Sequence, residues 1–217
     1  MTNSMVSPRL TRGALVSIDP ITGQRTVIAF QYNPETLTRS LSLNAMGGEG
    51  GEKVEVYRLK GPPTETITLN FEIDATDKLE VADADAIEVG IYPILSALEL
   101  LVYPRLEMIR ENARRAQQGD IEIIPPEAPT LYFVWGDSTH RVLPVRITSF
   151  SITEEAHNTA LVPTRARVDL TLQVLSTQDF RQDHQGYRIF DRHHQDKESL
   201  AGRYHPPTGT ASNAGLT

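Results

Sequence analysis

The sequence predicts a mainly β chain with an α-helical insertion and a C-terminal helix, an α+β fold. Three observations predict it. Residues 66–73 and 165–174 alternate apolar and polar side chains with period two. Residues 79–118 between them repeat their apolar positions every three or four residues. Beyond Thr177 the composition becomes polar and helix-compatible up to Tyr204.

Taken in order, Met1–Thr11 is polar and is expected to be disordered. Ala14–Ile18 and Thr26–Tyr32 flank Asp19-Pro20-Ile21-Thr22-Gly23, a Pro/Gly turn, and read as an opening hairpin. Leu37–Leu43 alternates more weakly. Asn44–Pro63 carries Gly47, Gly48, Gly50 and Gly51 and a short β-like piece, Val54–Tyr57, and reads as a long hairpin arm. In the next strand Ile67, Leu69, Phe71 and Ile73 share one face, with Thr66, Thr68, Asn70 and Glu72 on the other. Val89, Ile91, Ile94, Leu95, Leu98, Leu101 and Val102 mark an amphipathic helix, and Pro93 places its start near Tyr92. Leu106–Gln118 reads as a second, exposed helix ended by Gly119. Pro125, Pro126 and Pro129 lead back to strands Thr130–Trp135 and Arg141–Ile152 around a Gly136-Asp137-Ser138 turn. In the second strand the apolar set shifts from Leu143, Val145, Ile147 to Phe150, Ile152, which predicts a bulge at Thr148–Ser149. The last strand sets Ala166, Val168, Leu170, Leu172 and Val174 against Arg165, Arg167, Asp169, Thr171 and Gln173.

Composition excludes whole classes of chemistry. The chain has no cysteine, hence no disulfide, thiolate nucleophile or cysteine-held metal. A net charge of -7 and a pI near 5.4 argue against a general nucleic-acid binder. No apolar run is long enough to span a bilayer, and the N-terminus has no signal-like apolar stretch. Cytoplasmic assembly is expected.

No catalytic constellation stands out, so the chain is expected not to be an enzyme. His194 and Glu198 have helical i,i+4 spacing, but no third ligand is near in sequence, so a solvated helix face is the simpler reading. Glu80, Asp83 and Asp85 suit a helix start and lack calcium-loop spacing. Gly47–Gly51 lacks the Lys-Ser/Thr of a phosphate loop. Glu154 and Glu155 are adjacent on a strand and point to opposite faces. No cofactor or metal is expected.

Five phrases carry a resemblance. They are Phe30-Gln31-Tyr32-Asn33-Pro34-Glu35-Thr36-Leu37, Ile91–Glu99, Phe133-Val134-Trp135-Gly136, Leu143–Glu155 and Ala166–Leu172. In their order and spacing, over roughly residues 12–179, the chain resembles the tube-protein domain of contractile injection systems. That family is found at the tube/baseplate junction of antifeeding prophages, Photorhabdus virulence cassettes and related phage-tail-like particles. The resemblance implies a β-barrel or two-sheet sandwich with one covering helix, over residues 12–179. It also implies a hexameric ring acting as tube initiator or hub adaptor, with tube, spike/hub and baseplate wedge proteins as partners. An adaptor that links spike or effector cargo to the particle is the alternative.

Site expectations follow. Arg165, Arg167, Asp169, Thr171 and Gln173 are expected to face a lumen. Gly47, Gly48, Gly50, Val54, Val56 and Tyr57 are expected to make contacts between subunits or rings. Several relatives carry a LysM module after the tube domain; here residues 180–204 are expected to form a docking helix in its place, outside the barrel, the alternative being a helix packed back on its own barrel. Its stripe is Tyr187, Phe190, His194, Lys197, Ala201 and Tyr204, followed by a flexible tail, 205–217.

Overall fold

The computed structural model describes residues 11–20, 22–45, 58–119, 128–136 and 141–205. Seven strands form one antiparallel sheet: β1 (Ala14–Ile18), β2 (Arg25–Ala29), β3 (Leu37–Ser42), β4 (Thr64–Asp74), β5 (Thr130–Val134), β6 (Val142–His157) and β7 (Pro163–Val174). Their order across the sheet is β2-β1-β5-β6-β7-β4-β3. Helices α1 (Thr76–Glu80), α2 (Ala84–Val89), α3 (Tyr92–Glu99) and α4 (Leu106–Gln117) lie between β4 and β5. Helix α5 (Gln185–Ala201) follows β7. The fold is α+β, as the sequence patterning predicts.

The opening hairpin turns because the Asp19 carboxylate accepts from the Thr22 amide at 2.7 Å and the Thr22 hydroxyl at 2.9 Å. Gly23 then takes φ 68, where only glycine is unstrained. β2 ends at Ala29, short of the expected Tyr32, because Phe30 and Gln31 turn toward β4. The Phe30 and Phe71 rings stand 4.6 Å apart. The Gln31 amide donates to the Asp74 carbonyl at 2.7 Å and accepts from the Asp74 amide at 2.9 Å. A side chain thus supplies the paired bonds that a neighbouring strand would give. One sheet rolls into a barrel-like shell instead of splitting into two. Its ladder stays open between β2 and β3 among the described residues, and Gln31 crosses that seam.

The core lies inside the roll. Ile67, Leu69, Phe71 and Ile73 of β4 meet Val168, Leu170 and Leu172 of β7, with Leu15, Phe133 and Val145 from the far strands. The phase change foreseen in β6 is present, with a register shift against β7 between Ile147 and Ser149. β6 also continues to His157, past the expected Ile152, because β7 pairs it that far.

Helix α3 covers the roll with Leu95 and Leu98 buried and Pro93 in its first turn, as expected. Its entry is fixed by Gly90 at φ 57, where an added Cβ would lie 2.2 Å from the Pro163 carbonyl oxygen. The helix stops at Glu99, and the Val102 and Tyr103 amides turn back to the Glu99 carbonyl. α4 buries no side chain fully; an Arg105–Asp19 ion pair ties its start to the opening hairpin.

The C-terminal helix is present as expected and takes the alternative course, back against its own sheet. α5 packs on β6, and Phe190 belongs to the buried core cluster. The inward residues are Gly186, Phe190 and His193, flanked by half-buried Tyr187, Ile189, Asp196 and Lys197. His194, Ala201 and Tyr204 are exposed. The expected stripe was turned by about one residue because Gly186 can sit against the Phe180 ring, where its Cβ would lie 2.6 Å from ring carbon. That close approach sets the helix rotation and turns His193 inward in place of His194.

Candidate assembly interface

Four adjacent strands, β3, β4, β7 and the distal half of β6, present one polar face; behind it β4 and β7 bury their apolar side chains, the distal half of β6 half-buries Ile147, Phe150 and Ile152, and β3 half-buries only Leu37. The reason is local. Period-two alternation gives each strand two chemistries, and antiparallel register aligns them across the sheet. Thr38, Thr68, Thr171 and Ser149 form one transverse row, since each pair is in direct register. Asn70, Asp169 and Ser151 form the next, and Glu72, Arg167 and Thr153 the one after. The hydroxyl-rich rows adjoin a band of charge in which Glu155 lies 3.5 Å from Arg165 and 3.8 Å from Arg167. Arg146 donates to the Gln173 side-chain oxygen at 2.6 and 3.0 Å. All five residues expected on the polar face of the last strand, Arg165, Arg167, Asp169, Thr171 and Gln173, stand on this face.

Both flanks of the polar sheet end in unpaired edges among the described residues. β3 pairs with β4 on one side only. β5 covers the other side of β6 from Val142 to Val145, so residues 146–157 pair with β7 alone. A strand edge is a row of unsatisfied amides and carbonyls, which proteins cover, charge or pair with another chain.

Behind β3, Glu65 joins the edge to α5. It lies on the inward side of β4 at 3% exposure, and its carboxylate meets Arg39 at 2.6 Å and Lys197 at 3.2 Å. Sequence reasoning missed this group because Glu65 lies two residues before Ile67, outside the apolar series whose parity it continues. That continuation was the available signal. On β5, burial pushes the Tyr132 hydroxyl pKa up, and Arg188 of α5 opposes the rise.

Gly47, Gly48, Gly50, Val54, Val56 and Tyr57 lie outside the described residues. The base of their arm is described: Ala45 bridges Leu59, and the Lys60 amide donates to the Asn44 carbonyl at 2.7 Å. Of the helix stripe, Phe190 is core, Tyr187 is half-buried, and His194, Ala201 and Tyr204 face outward. Among the described residues no group of three or more His, Asp or Glu could hold a metal ion. No described helix is long and apolar enough to cross a membrane.

No protein-family model matches the chain. No curated protein matches it either. Among solved structures the chain is similar to the tail of an empty GTA (gene transfer agent) particle, computed with helical refinement and C6 symmetry. The identity is 16%, the match covers 75% of this chain and 90% of that one, and the TM-score is 0.30.

Proposed function

We propose that this chain is a structural, non-catalytic subunit of a phage-tail-like contractile injection particle. Copies close into a hexameric ring at the tube/baseplate junction, between the spike complex and the inner tube. One observation carries the reading: a four-strand polar face flanked on both sides by free strand edges. β6, β7, β4 and β3 alternate in direction, so β3 and β6 run oppositely. The β6 edge of a second copy set against β3 therefore continues the antiparallel ladder. Repetition around an axis pairs the β3 edge of each copy with the free stretch of β6 in the next. The face carrying Arg165, Arg167, Asp169, Thr171 and Gln173 then lines the lumen, and the helices lie outside. The sequence resemblance supplies the kind of particle, its assembly in the cytoplasm, and the tube, spike/hub and wedge proteins as partners.

Concentrated protein examined by light scattering and negative-stain microscopy tests the reading. Closed rings or short stacks are the expected result. A monomer at every concentration, binding spike or cargo protein as single copies, would overturn it in favour of the adaptor.

A further inference from the structure

We infer that the base of the hairpin arm of one copy docks in a groove beside the β6 edge of the next copy. This rests on the ring proposed above and adds the groove, its occupant and the occupant's direction. The groove has a volume of about 890 Å3. Leu101 and Val102 just past α3, Leu131 of β5, Ile147 of β6 and Phe180 of the β7–α5 connection line it, together with polar Asp179, Arg181, Asp183 and His184. It opens where β5 stops covering β6, next to Arg146, the first residue of the free edge. A second recess, lined by Val102, Tyr103, Phe150 and Ile152, lies along the same strand.

The occupant follows from strand direction and side-chain parity. A copy of β3 paired antiparallel to β6 runs from the His157 side toward Arg146. Its Ser42 end, with the arm that follows, therefore points at the groove. Leu37, Arg39 and Leu41 share the parity that faces the core side of the sheet, opposite Thr38, Ser40 and Ser42. Leu43 continues that parity. On an added strand, Leu41 and Leu43 come to lie on the side of β6 that carries Ile147, Phe150 and the groove.

In the single subunit these side chains have no cover. Leu41 is 52% exposed, Leu43 74% and Leu59, across the arm base, 59%. Three large apolar side chains beside an edge strand make a patch that association would cover. The base is also held in place before docking. The Asn44 side-chain nitrogen donates to the Pro62 carbonyl at 2.7 Å, and the Gln178 side-chain nitrogen donates to the Lys60 carbonyl at 2.6 Å. The incoming strand cannot continue along β6 past Arg146, because β5 already occupies that edge. The chain must leave the sheet there, and the groove, with Leu101, Val102 and Phe180 on its wall, is the space it enters. Only residues 46–57 separate the two sides of the base, so the arm remains joined to β3 and β4 on docking.

The chain has no cysteine, so disulfide trapping reads the geometry without background. L43C and V102C proteins, each purified alone, are mixed at equal amounts and oxidised at a concentration where assembly is measured independently. The expected result is a disulfide-linked dimer in the mixture and not in either protein alone. The double variant L43C/V102C should give a covalent ladder. S40C mixed with S151C is the parallel probe of the strand edges. A dimer from the edge pair with none from the groove pair overturns the docking while the ring stands. An L43C/V102C double variant that cross-links only within one chain overturns it as well. No ladder from either pair, with light scattering showing monomers, removes the ring and the docking together.

Discussion

The two halves of this sheet obey different rules. In β1, β5 and the start of β6, both faces are buried: Leu15, Phe133 and Leu143 point inward, and Val16, Tyr132 and Pro144 are buried on the other side. In β4 and β7 only the inward face is buried, and in the rest of β6 the inward side chains Ile147, Phe150 and Ile152 are half-buried. The sequence signals differ accordingly. A strand covered on both sides reads as a continuous apolar run, Thr130-Leu131-Tyr132-Phe133-Val134, whereas a strand with one bare face alternates cleanly. The lesson is about purpose. A chain that needed only to fold could cover both faces everywhere, so the bare polar face marks the half of the sheet left free for water or a partner.

The sharpest way to break this comparison is to exchange the chemistry of the two faces of β7. Leu170→Asp or Leu172→Asp places a charge where exposure is near zero and no cation stands opposite. Loss of about 3–5 kcal/mol is expected, enough to unfold a domain of ordinary stability. Asp169→Asn or Thr171→Ala, on the bare face, should change the thermal midpoint little. Circular dichroism melts that rank the two pairs in the opposite order would show that the strand is inside out.

That contrast also explains what could be seen in the sequence. β4 and β7 were legible residue by residue, because alternation encodes a face directly. The slip at Thr148–Ser149 was legible for the same reason. Polar Thr153–His157 gave no strand signal, and only pairing with β7 makes it one. The rotation of α5 was misread because a polar helix with two adjacent histidines has no strong stripe, and Gly186 against Phe180 decides it through packing. Free edges are properties of strand order, which no local pattern states. The polar face of the candidate interface was therefore legible, and the groove beside it was not.

A second perturbation sharpens the boundary between the halves. Glu65 is the one buried carboxylate among the described residues, and it ties edge strand β3 and helix α5 to β4. Arg39→Ala removes the nearer cation and leaves the carboxylate leaning on Lys197 alone. Loss of about 1–3 kcal/mol is expected, reduced from the cost of a fully buried broken pair because both cations are partly exposed. Lys197→Ala should cost less, and the double variant more than the sum. Denaturant midpoints that add without coupling would mean that Glu65 does not join the two elements.

The smallest expected effect concerns the two main helices of the insertion, which repeat the contrast of the sheet in miniature. α3 is held by Leu95 and Leu98 in the core, whereas α4 buries no side chain fully and supports itself through charge. Glu111 accepts from Arg114 at 2.8 and 3.0 Å and from Arg115 at 3.0 Å. Hydrogen bonds from Arg114 and then Arg115 lower its carboxyl pKa from 4.5 to about 2. The folded value lies below the unfolded one. The pairing therefore supports the fold fully above pH 4.5 and loses that support as pH falls from 4.5 toward 2. Water and salt screen so exposed a pair, so global stability at neutral pH should not register its removal. The local titration should. Carboxyl NMR is expected to place the Glu111 midpoint near 2 and to return it toward 4.5 in an Arg114→Gln/Arg115→Gln variant. An unmodified protein that titrates at 4.5 would show both arginines turned to solvent, leaving α4 without the ion pairs assigned to it.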